Sequence, residues 1–257
     1  MDKDIFNLND NCTVITGAAQ GLGKYMARAL ADVGSNIVIA DINYKLAKKT
    51  AKEIEAKGAK AMAVNMDVTS AQDIFNMINI TKEKFKKIDV LINNAGICKH
   101  INAEDMAFSD WQQVIDINLN GVFMVSKAVG KHMIDQGKGS IINISSMSGI
   151  IVNTPQNQAA YNVSKAGVIM LTKSLAAEWA KYNIRVNTIA PGYMNIGVAE
   201  KFFKEKIYMA RKWVSLIPMG RPGEPEELGG IAIYLASEAS SYVTGGVFTI
   251  DGGYTVL

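Results

Sequence analysis

Short runs of β-branched and other apolar residues alternate along this chain with longer stretches of helical period. The runs at 13–16, 36–40, 61–65, 90–93, 140–144 and 185–189 are almost wholly apolar and read as strands. Segments 23–33, 44–57, 71–86, 110–136, 159–181 and 226–237 carry a helical pattern, and a last strand is expected near 247–250. Strand and helix in alternation predict parallel pairing, because each return to the same edge needs a crossover helix. A parallel sheet is covered on both faces, which accounts for strands that do not alternate with polar residues. The connections are expected to be right-handed.

No low-complexity linker, long charge run or internal repeat interrupts the series, so residues 1–257 are expected to form a single domain. Hydrophobic residues make up 49% and charged residues 20%, the balance of an ordinary globular protein. The formal charge is only +3, with basic and acidic residues interspersed, which argues against nucleic acid as a partner. The densest basic stretch, Lys82 to Lys87, reads as a solvated helix face.

Cys12 and Cys98 are the only cysteines, and their spacing suggests neither a metal site nor a disulfide framework. No apolar run is long enough to span a bilayer, and the polar start from Met1 to Asn11 does not resemble a signal peptide, so a cytoplasmic protein without a membrane partner is expected. With two histidines, His100 and His132, and no carboxylate cluster at ligand spacing, no catalytic metal is expected.

Chemistry first shows where the first strand meets its helix, at Thr16-Gly17-Ala18-Ala19-Gln20-Gly21-Leu22-Gly23. Glycine permits a tight turn there and lets backbone N–H groups approach a pyrophosphate at the helix N-terminus, although such a turn can also be purely structural. Asp41 ends the second strand, twenty residues beyond Gly21, where its carboxylate can accept from adenosine ribose hydroxyls. No cation stands nearby to meet a 2′-phosphate: its neighbours are Ala40, Ile42 and Asn43, and Gln20 occupies the turn. This favours NAD over NADP. The same position also suits an N-cap for the next helix.

Polar groups recur at the ends of later strands, where open α/β sheets bind ligands. Asp67, followed by Val68, could receive the adenine amine, and Asn93-Asn94-Ala95-Gly96 could let the backbone pass close to a cofactor. Ordinary turn chemistry explains either equally well.

Ser146 follows the fifth strand, and fifteen residues later comes Tyr161-Asn162-Val163-Ser164-Lys165. Spacing of four puts Tyr161 and Lys165 on one helical face, where an ammonium is expected to lower the phenol pKa from about 10. A tyrosine so tuned can exchange a proton with a substrate oxygen in both directions, and Ser146 can hold that oxygen. Alone, the pair could also be a surface Tyr under a Lys stem.

Taken together, Thr16-Gly17-x-x-x-Gly21-x-Gly23, Asn93-Asn94-Ala95-Gly96, Asn118 within Asp116-Ile117-Asn118-Leu119, Ser146, Tyr161-x-x-x-Lys165 and Pro191-Gly192 resemble the short-chain dehydrogenase/reductase family over nearly the whole chain. The resemblance implies a Rossmann-type, doubly wound α/β fold of about seven parallel strands. It implies Tyr161 as acid/base, Lys165 on the nicotinamide ribose, Ser146 positioning substrate and Asn118 supporting a proton relay. Cofactor contacts follow for Gly17, Gln20, Gly21, Leu22, Gly23, Asp41, Asp67, Val68, Asn94, Ala95, Gly96, Tyr161, Lys165, Pro191, Gly192 and the backbone of Met194. Without the resemblance, Asn118 reads as a helix-interior polar residue bonded to nearby backbone. One departure stands out: many relatives read Pro-Gly-x-x-x-Thr, and this chain has Ile196 where that hydroxyl would be.

The stretch from Ser146 to Gln156, Glu178-Trp179-Ala180 and the ending Asp251-Gly252-Gly253-Tyr254-Thr255 resemble members acting on sugar alcohols and ketoses. That implies an NAD-linked polyol dehydrogenase; the alternatives are a 3-oxoacyl-carrier-protein or steroid-type reductase and a non-catalytic scaffold. Asn153, Gln156 and Gln158 would suit a polyhydroxylated substrate, or are loop residues facing water. A mobile substrate loop is expected near 193–215, with an amphipathic stretch of Val198, Phe202, Phe203 and Ile207. Relatives imply a homotetramer, in which Leu175, Ala176 and Trp179 could supply apolar contact or pack in the core.

Overall fold

The apolar runs become seven strands: β1 (Cys12–Thr16), β2 (Asn36–Asp41), β3 (Ala61–Asn65), β4 (Val90–Asn93), β5 (Gly139–Ile144), β6 (Ile184–Pro191) and β7 (Val247–Ile250). They pair in parallel in the order β3-β2-β1-β4-β5-β6-β7 in a computed structural model that describes residues 3–197 and 208–256. The fold is the expected Rossmann-type sheet with helices around it. Strand order reverses between β1 and β4, and the carboxyl ends on either side of that crevice carry Gly17 and Asn94.

Both faces are covered, as the continuous apolar strands require. Ile15, Ile37, Ile39, Ile92 and Ile142 point into one core with α1 (Gly21–Asp32), α2 (Tyr44–Glu55) and α8 (Gly229–Ala236). The alternate residues Val14, Val38, Leu91, Ile141 and Val186 point into a second core with α3 (Ala71–Phe85), α5 (Gly121–Gln136) and α6 (Ala159–Trp179). Each buried aliphatic side chain contributes roughly 1.5–3 kcal/mol relative to exposure, so neighbouring residues of one strand stabilise opposite layers.

Leu175 and Ala176 belong to the second core and Trp179 packs on it, so the core reading of these residues holds. The large apolar residues that α6 exposes are Val163 and Met170. Asn43, not Asp41, caps α2, accepting from the Leu46 N–H at 3.1 Å, and Ser70 caps α3, accepting from Asp73 at 3.2 Å.

The predicted helix over 110–136 is divided. α4 (Phe108–Ile115) passes through a π-helical turn, Asp116–Asn120, into α5. A π-turn admits one extra residue without breaking the helical run, so the hydrophobic pattern does not betray it. Of the loop expected near 193–215, the described part is ordered secondary structure at its far end: α7 (Tyr208–Ser215) is an amphipathic helix that buries Ala210 and Trp213. Val198, Phe202, Phe203 and Ile207 lie outside the described residues. Among the described residues no helix is long and apolar enough to cross a membrane, and no group of three or more His, Cys, Asp or Glu could hold a metal ion.

Candidate active site

The glycine turn at the switch point is braced from three sides. Asn94 Nδ2 donates to the carbonyls of Thr16 (3.0 Å) and Gly17 (2.8 Å), and the Thr16 hydroxyl accepts from the amides of Asn94 (3.0 Å) and Ala95 (3.1 Å). The Ala19 amide donates to Asp41 Oδ2 at 2.9 Å, and the Thr50 hydroxyl donates to the Ala19 carbonyl at 2.7 Å. Gly17 has φ +63°, and a Cβ there would lie 2.7 Å from the Ala95 Cα, so neither the conformation nor the contact admits a side chain.

Two observations fit this turn to a dinucleotide phosphate. At Gly21, the first residue of α1, nothing lies within 4 Å of where a side chain would start. Unlike α2 and α3, α1 has no side-chain cap, and its first turn holds no acidic residue, which leaves its N-terminal amides and dipole to an anion. Leu22 packs on the core beneath, and Gly23 is buried against Ala18 and Asn94.

Asp41 stands beside the turn with Oδ1 accepting from Asn43 N–H at 2.9 Å. A carboxylate offers about four lone-pair sites, so acceptor capacity remains for ribose hydroxyls. Asp67 spends Oδ1 on the amide (2.8 Å) and hydroxyl (2.7 Å) of Thr69, as in an ordinary Asx turn, and Val68 is buried under Gly121. The Asn94 side chain spends Nδ2 on the glycine turn.

Across the crevice, Ser146 leaves β5 as the cap of a short 3₁₀ turn, Met147–Gly149, its Oγ accepting from Ser148 N–H at 3.1 Å and bonding the Tyr161 phenol. Lys165 Nζ donates to the Ile144 carbonyl at 2.8 Å and lies over the Tyr161 ring, 5.7 Å from its centre. The Ser145 hydroxyl, donating to the Lys165 carbonyl at 2.8 Å, ties this helix to β5. At Gly149 a Cβ would meet the Lys165 carbonyl carbon at 2.6 Å, which shows how closely the 3₁₀ turn presses on α6.

Asn118 projects from the π-turn, fully buried. Its Oδ1 accepts from Ile97 N–H and its Nδ2 donates to the Ile97 carbonyl, each at 2.8 Å, and Nδ2 also donates to Ser164 Oγ at 3.0 Å. Ser164 in turn donates to the Tyr161 carbonyl at 2.7 Å. Asn118 therefore bonds backbone far away in sequence and joins the loop after Gly96 to α6; the reading of a residue bonded to nearby backbone is corrected.

Protonation runs against expectation. Burial pushes the Tyr161 phenol up to about 12; the Ser146 hydrogen bond pulls it down, and Cys98 adds to the rise. Burial also draws the Lys165 ammonium down to about 8. The shared helix face is real, but desolvation of both groups outweighs the attraction that the spacing promised. Cys98 borders the site, its thiol pushed up to about 11 by burial against the pull of Lys165.

The wall beyond Ser146 departs from the sequence reading. Asn153, Gln156 and Gln158 are all buried, and their described hydrogen bonds run to other residues of the chain. Asn153 Nδ2 and Gln156 Nε2 donate to the Tyr193 hydroxyl at 3.0 and 2.9 Å, and Gln156 Oε1 accepts from Trp213 Nε1 at 3.0 Å. Gln158 Nε2 donates to Ser148 Oγ and Asn153 Oδ1, each at 3.1 Å. Tyr193 and Trp213 went unremarked: Pro191 and Gly192 drew attention to the strand end, but nothing in the sequence pairs position 193 with 213. Gly192 presses on Asp251, Met194 is buried, and Ile196 packs against the α1 core, so the position of the lost hydroxyl is used for packing.

Comparison with known proteins agrees with this geometry. The family pattern described as enoyl-(acyl carrier protein) reductase matches residues 17–255. The galactitol 2-dehydrogenase (L-tagatose-forming) of Cereibacter sphaeroides is 39% identical, covering 99% of this chain and 98% of its own. The NADP-dependent mannitol dehydrogenase of Hypocrea jecorina is 41% identical, covering 98% and 95%. The crystal structure of gox2181 superposes with a TM-score of 0.97 at 40% identity over the full length of both chains. The Rossmann-type fold together with dehydrogenase relatives over the full length defines a pyridine-nucleotide-linked oxidoreductase of CH–OH groups. This chain belongs to the short-chain dehydrogenase/reductase family.

Proposed function

We propose that this chain is an NAD-linked dehydrogenase that interconverts a secondary alcohol of a polyol and the corresponding ketose. The observation that carries the reading is the convergence of Ser146 Oγ, the Tyr161 phenol and Lys165 Nζ at the carboxyl edge of β5.

The turn from Gly17 to Gly23, with Gln20 and Leu22, would hold the pyrophosphate; Asp41 the adenosine ribose; Asp67 and Val68 the adenine side; Ala95, Gly96, Pro191, Gly192 and the Met194 backbone the nicotinamide half. NAD, held by these residues, would supply the hydride acceptor for the alcohol carbon in oxidation, and its reduced form the hydride donor in reduction. In reduction the neutral Tyr161 phenol gives its proton to the substrate oxygen; in oxidation the phenolate, formed once that proton has passed to solvent, receives the hydroxyl proton of the substrate. Ser146 Oγ holds the same oxygen in place, which supplies the alignment on which the rate depends. Lys165, fixed by Ile144, favours the ionised phenol whenever it carries its proton. Asn118, through Ser164, keeps the segment after Gly96 in register with Tyr161.

The preference for NAD rests on Asp41, whose charge would repel a 2′-phosphate and which has no neighbouring cation to offset it; the mannitol relative is NADP-dependent by name. The polyol substrate rests on the galactitol and mannitol enzymes among the relatives. We place the reaction in one domain and in the cytoplasm, in keeping with two unpaired cysteines. A homotetramer is supported by the apolar Phe123, Val163 and Met170 that α5 and α6 expose.

A panel of pentitols, hexitols, ketoses, 3-oxoacyl thioesters and steroids, run with NAD and NADP, tests the assignment. Fastest turnover of a polyol with NAD is expected. Faster turnover of 3-oxoacyl thioesters with NADPH would overturn it in favour of the reductase reading, to which the 41% identity with a 3-oxoacyl-[acyl-carrier-protein] reductase of Synechocystis lends support.

A further inference from the structure

Three segments that border the site are joined by one chain of buried and half-buried hydrogen bonds. It begins at Cys98, after β4, whose Sγ lies 3.5 Å from Gln158 Oε1. It passes from Gln158 to Ser148 and Asn153, from Asn153 to the Tyr193 hydroxyl, and from Tyr193 through Gln156 to the Trp213 indole on α7. The Tyr193 and Trp213 rings stack with centres 4.4 Å apart and planes 15° from parallel, and Tyr254 meets Tyr193 edge-on at 5.5 Å. Ser148 lies two residues after Ser146 and Gln158 three before Tyr161, so the chain is anchored at both ends of the catalytic apparatus.

We infer that Tyr193 and Gln156 are positioning residues that fasten α7 to the catalytic segments, so that the wall of the substrate pocket is set before substrate arrives. The inference rests on the proposed alcohol-oxidising reading of the site. Their polar atoms are committed to one another, which makes them unsuited to direct recognition of substrate hydroxyls. A fully satisfied buried network holds one geometry, and a network missing a member loses it, because the partners left behind are buried without a bond. α7 itself is short, eight residues, and too short to be stable alone, so its position depends on what it packs against.

Two variants test this. Tyr193→Phe keeps the ring stack and removes the acceptor of Asn153 and Gln156; Trp213→Phe keeps a ring opposite Tyr193 and removes the donor to Gln156. Amide hydrogen exchange over 208–215 in the free protein is expected to quicken about tenfold or more in both, as follows from losing one hydrogen bond in Trp213→Phe and two in Tyr193→Phe. KM for the alcohol is expected to rise about tenfold with kcat nearly unchanged, and the NADH dissociation constant read by fluorescence to stay within about twofold. Unchanged exchange in both variants overturns the inference, whatever happens to KM. So does quickened exchange with unchanged KM, or a loss confined to kcat. Because exchange needs no substrate, a wild-type chain inactive on every polyol would sink the functional reading while leaving the fastening of α7 standing.

Discussion

Lys165 Nζ lies over the ring of Tyr161, 5.7 Å from its centre, while donating to the carbonyl of Ile144 at 2.8 Å. The two residues are four apart on α6 and share a face, yet burial drives the phenol up to about 12 and the ammonium down to about 8. In the free protein the tyrosine is therefore neutral at physiological pH. The difference in 295 nm absorbance between this chain and Tyr161→Phe, titrated without dinucleotide, is expected to show no Tyr161 ionisation below about pH 10. Ser146→Ala removes the hydrogen bond that opposes the rise, and moves the transition higher still. A Tyr161 ionisation near pH 7 in the free chain would contradict the burial argument.

The same shift at Lys165 has a signature in stability. Its native value of about 8 lies below the ordinary 10.5, so between those two pH values the unfolded chain holds a proton that the native chain does not. Stability therefore rises with pH across that window; below about 8 both states are protonated and the penalty is constant. Lys165→Met removes this contribution. Urea unfolding from pH 7 to 10 is expected to give a difference between wild type and variant that is flat up to about 8 and then climbs in favour of the wild type; a difference with no slope would show that Lys165 is not shifted.

Asp41 braces the glycine turn through Ala19 and, in the proposed reading, presents a charge to the adenosine ribose. Asp41→Ala is expected to shift the ratio of kcat/KM for NAD over NADP by about tenfold or more toward NADP, and to cost about 1 kcal/mol of stability from the lost bond. Asp41→Asn keeps an acceptor for Ala19 and separates the two effects. An unchanged ratio in both variants would remove Asp41 as the discriminating residue.

Gly149 sits where the 3₁₀ turn after Ser146 touches α6. A methyl group there would fall 2.6 Å from the Lys165 carbonyl carbon and 2.7 Å from its oxygen, and backbone cannot step aside as a flexible side chain would. The turn must shift instead, and Ser146 shifts with it. Gly149→Ala is expected to lower kcat about 100-fold while NADH affinity persists, since misplacement by about 1 Å is enough for such a loss. Steady-state kinetics beside NADH fluorescence titration decide it, and near-wild-type kcat would mean that the turn tolerates the methyl group.

The strands were legible because residues buried on both faces leave uninterrupted apolar runs, as at Val14 and Ile15, which feed opposite cores. The glycine turn and Asp41 were legible for a similar reason, since their chemistry depends on a strand ending and a helix beginning within a few residues. Asn118 was half legible. Its motif was visible, but the π-turn that aims it is hidden within one periodic run, and its partner Ile97 is supplied by another part of the fold. Asn153, Gln156 and Gln158 were misread as groups for substrate or solvent because polarity in a loop says nothing about which neighbours will bury it.

By itself the sequence determined the alternation of strand and helix, the phosphate-binding turn, the order of Ser146, Tyr161 and Lys165, and with them the class of reaction, all properties of short-range spacing. Only the tertiary structure decided the direction in which Tyr161 and Lys165 shift, the partner of Asn118 and the fastening of Tyr193 to Gln156 and Trp213. Those depend on desolvation and on contacts between residues far apart in the chain, and neither quantity is encoded in the distance between two positions along it.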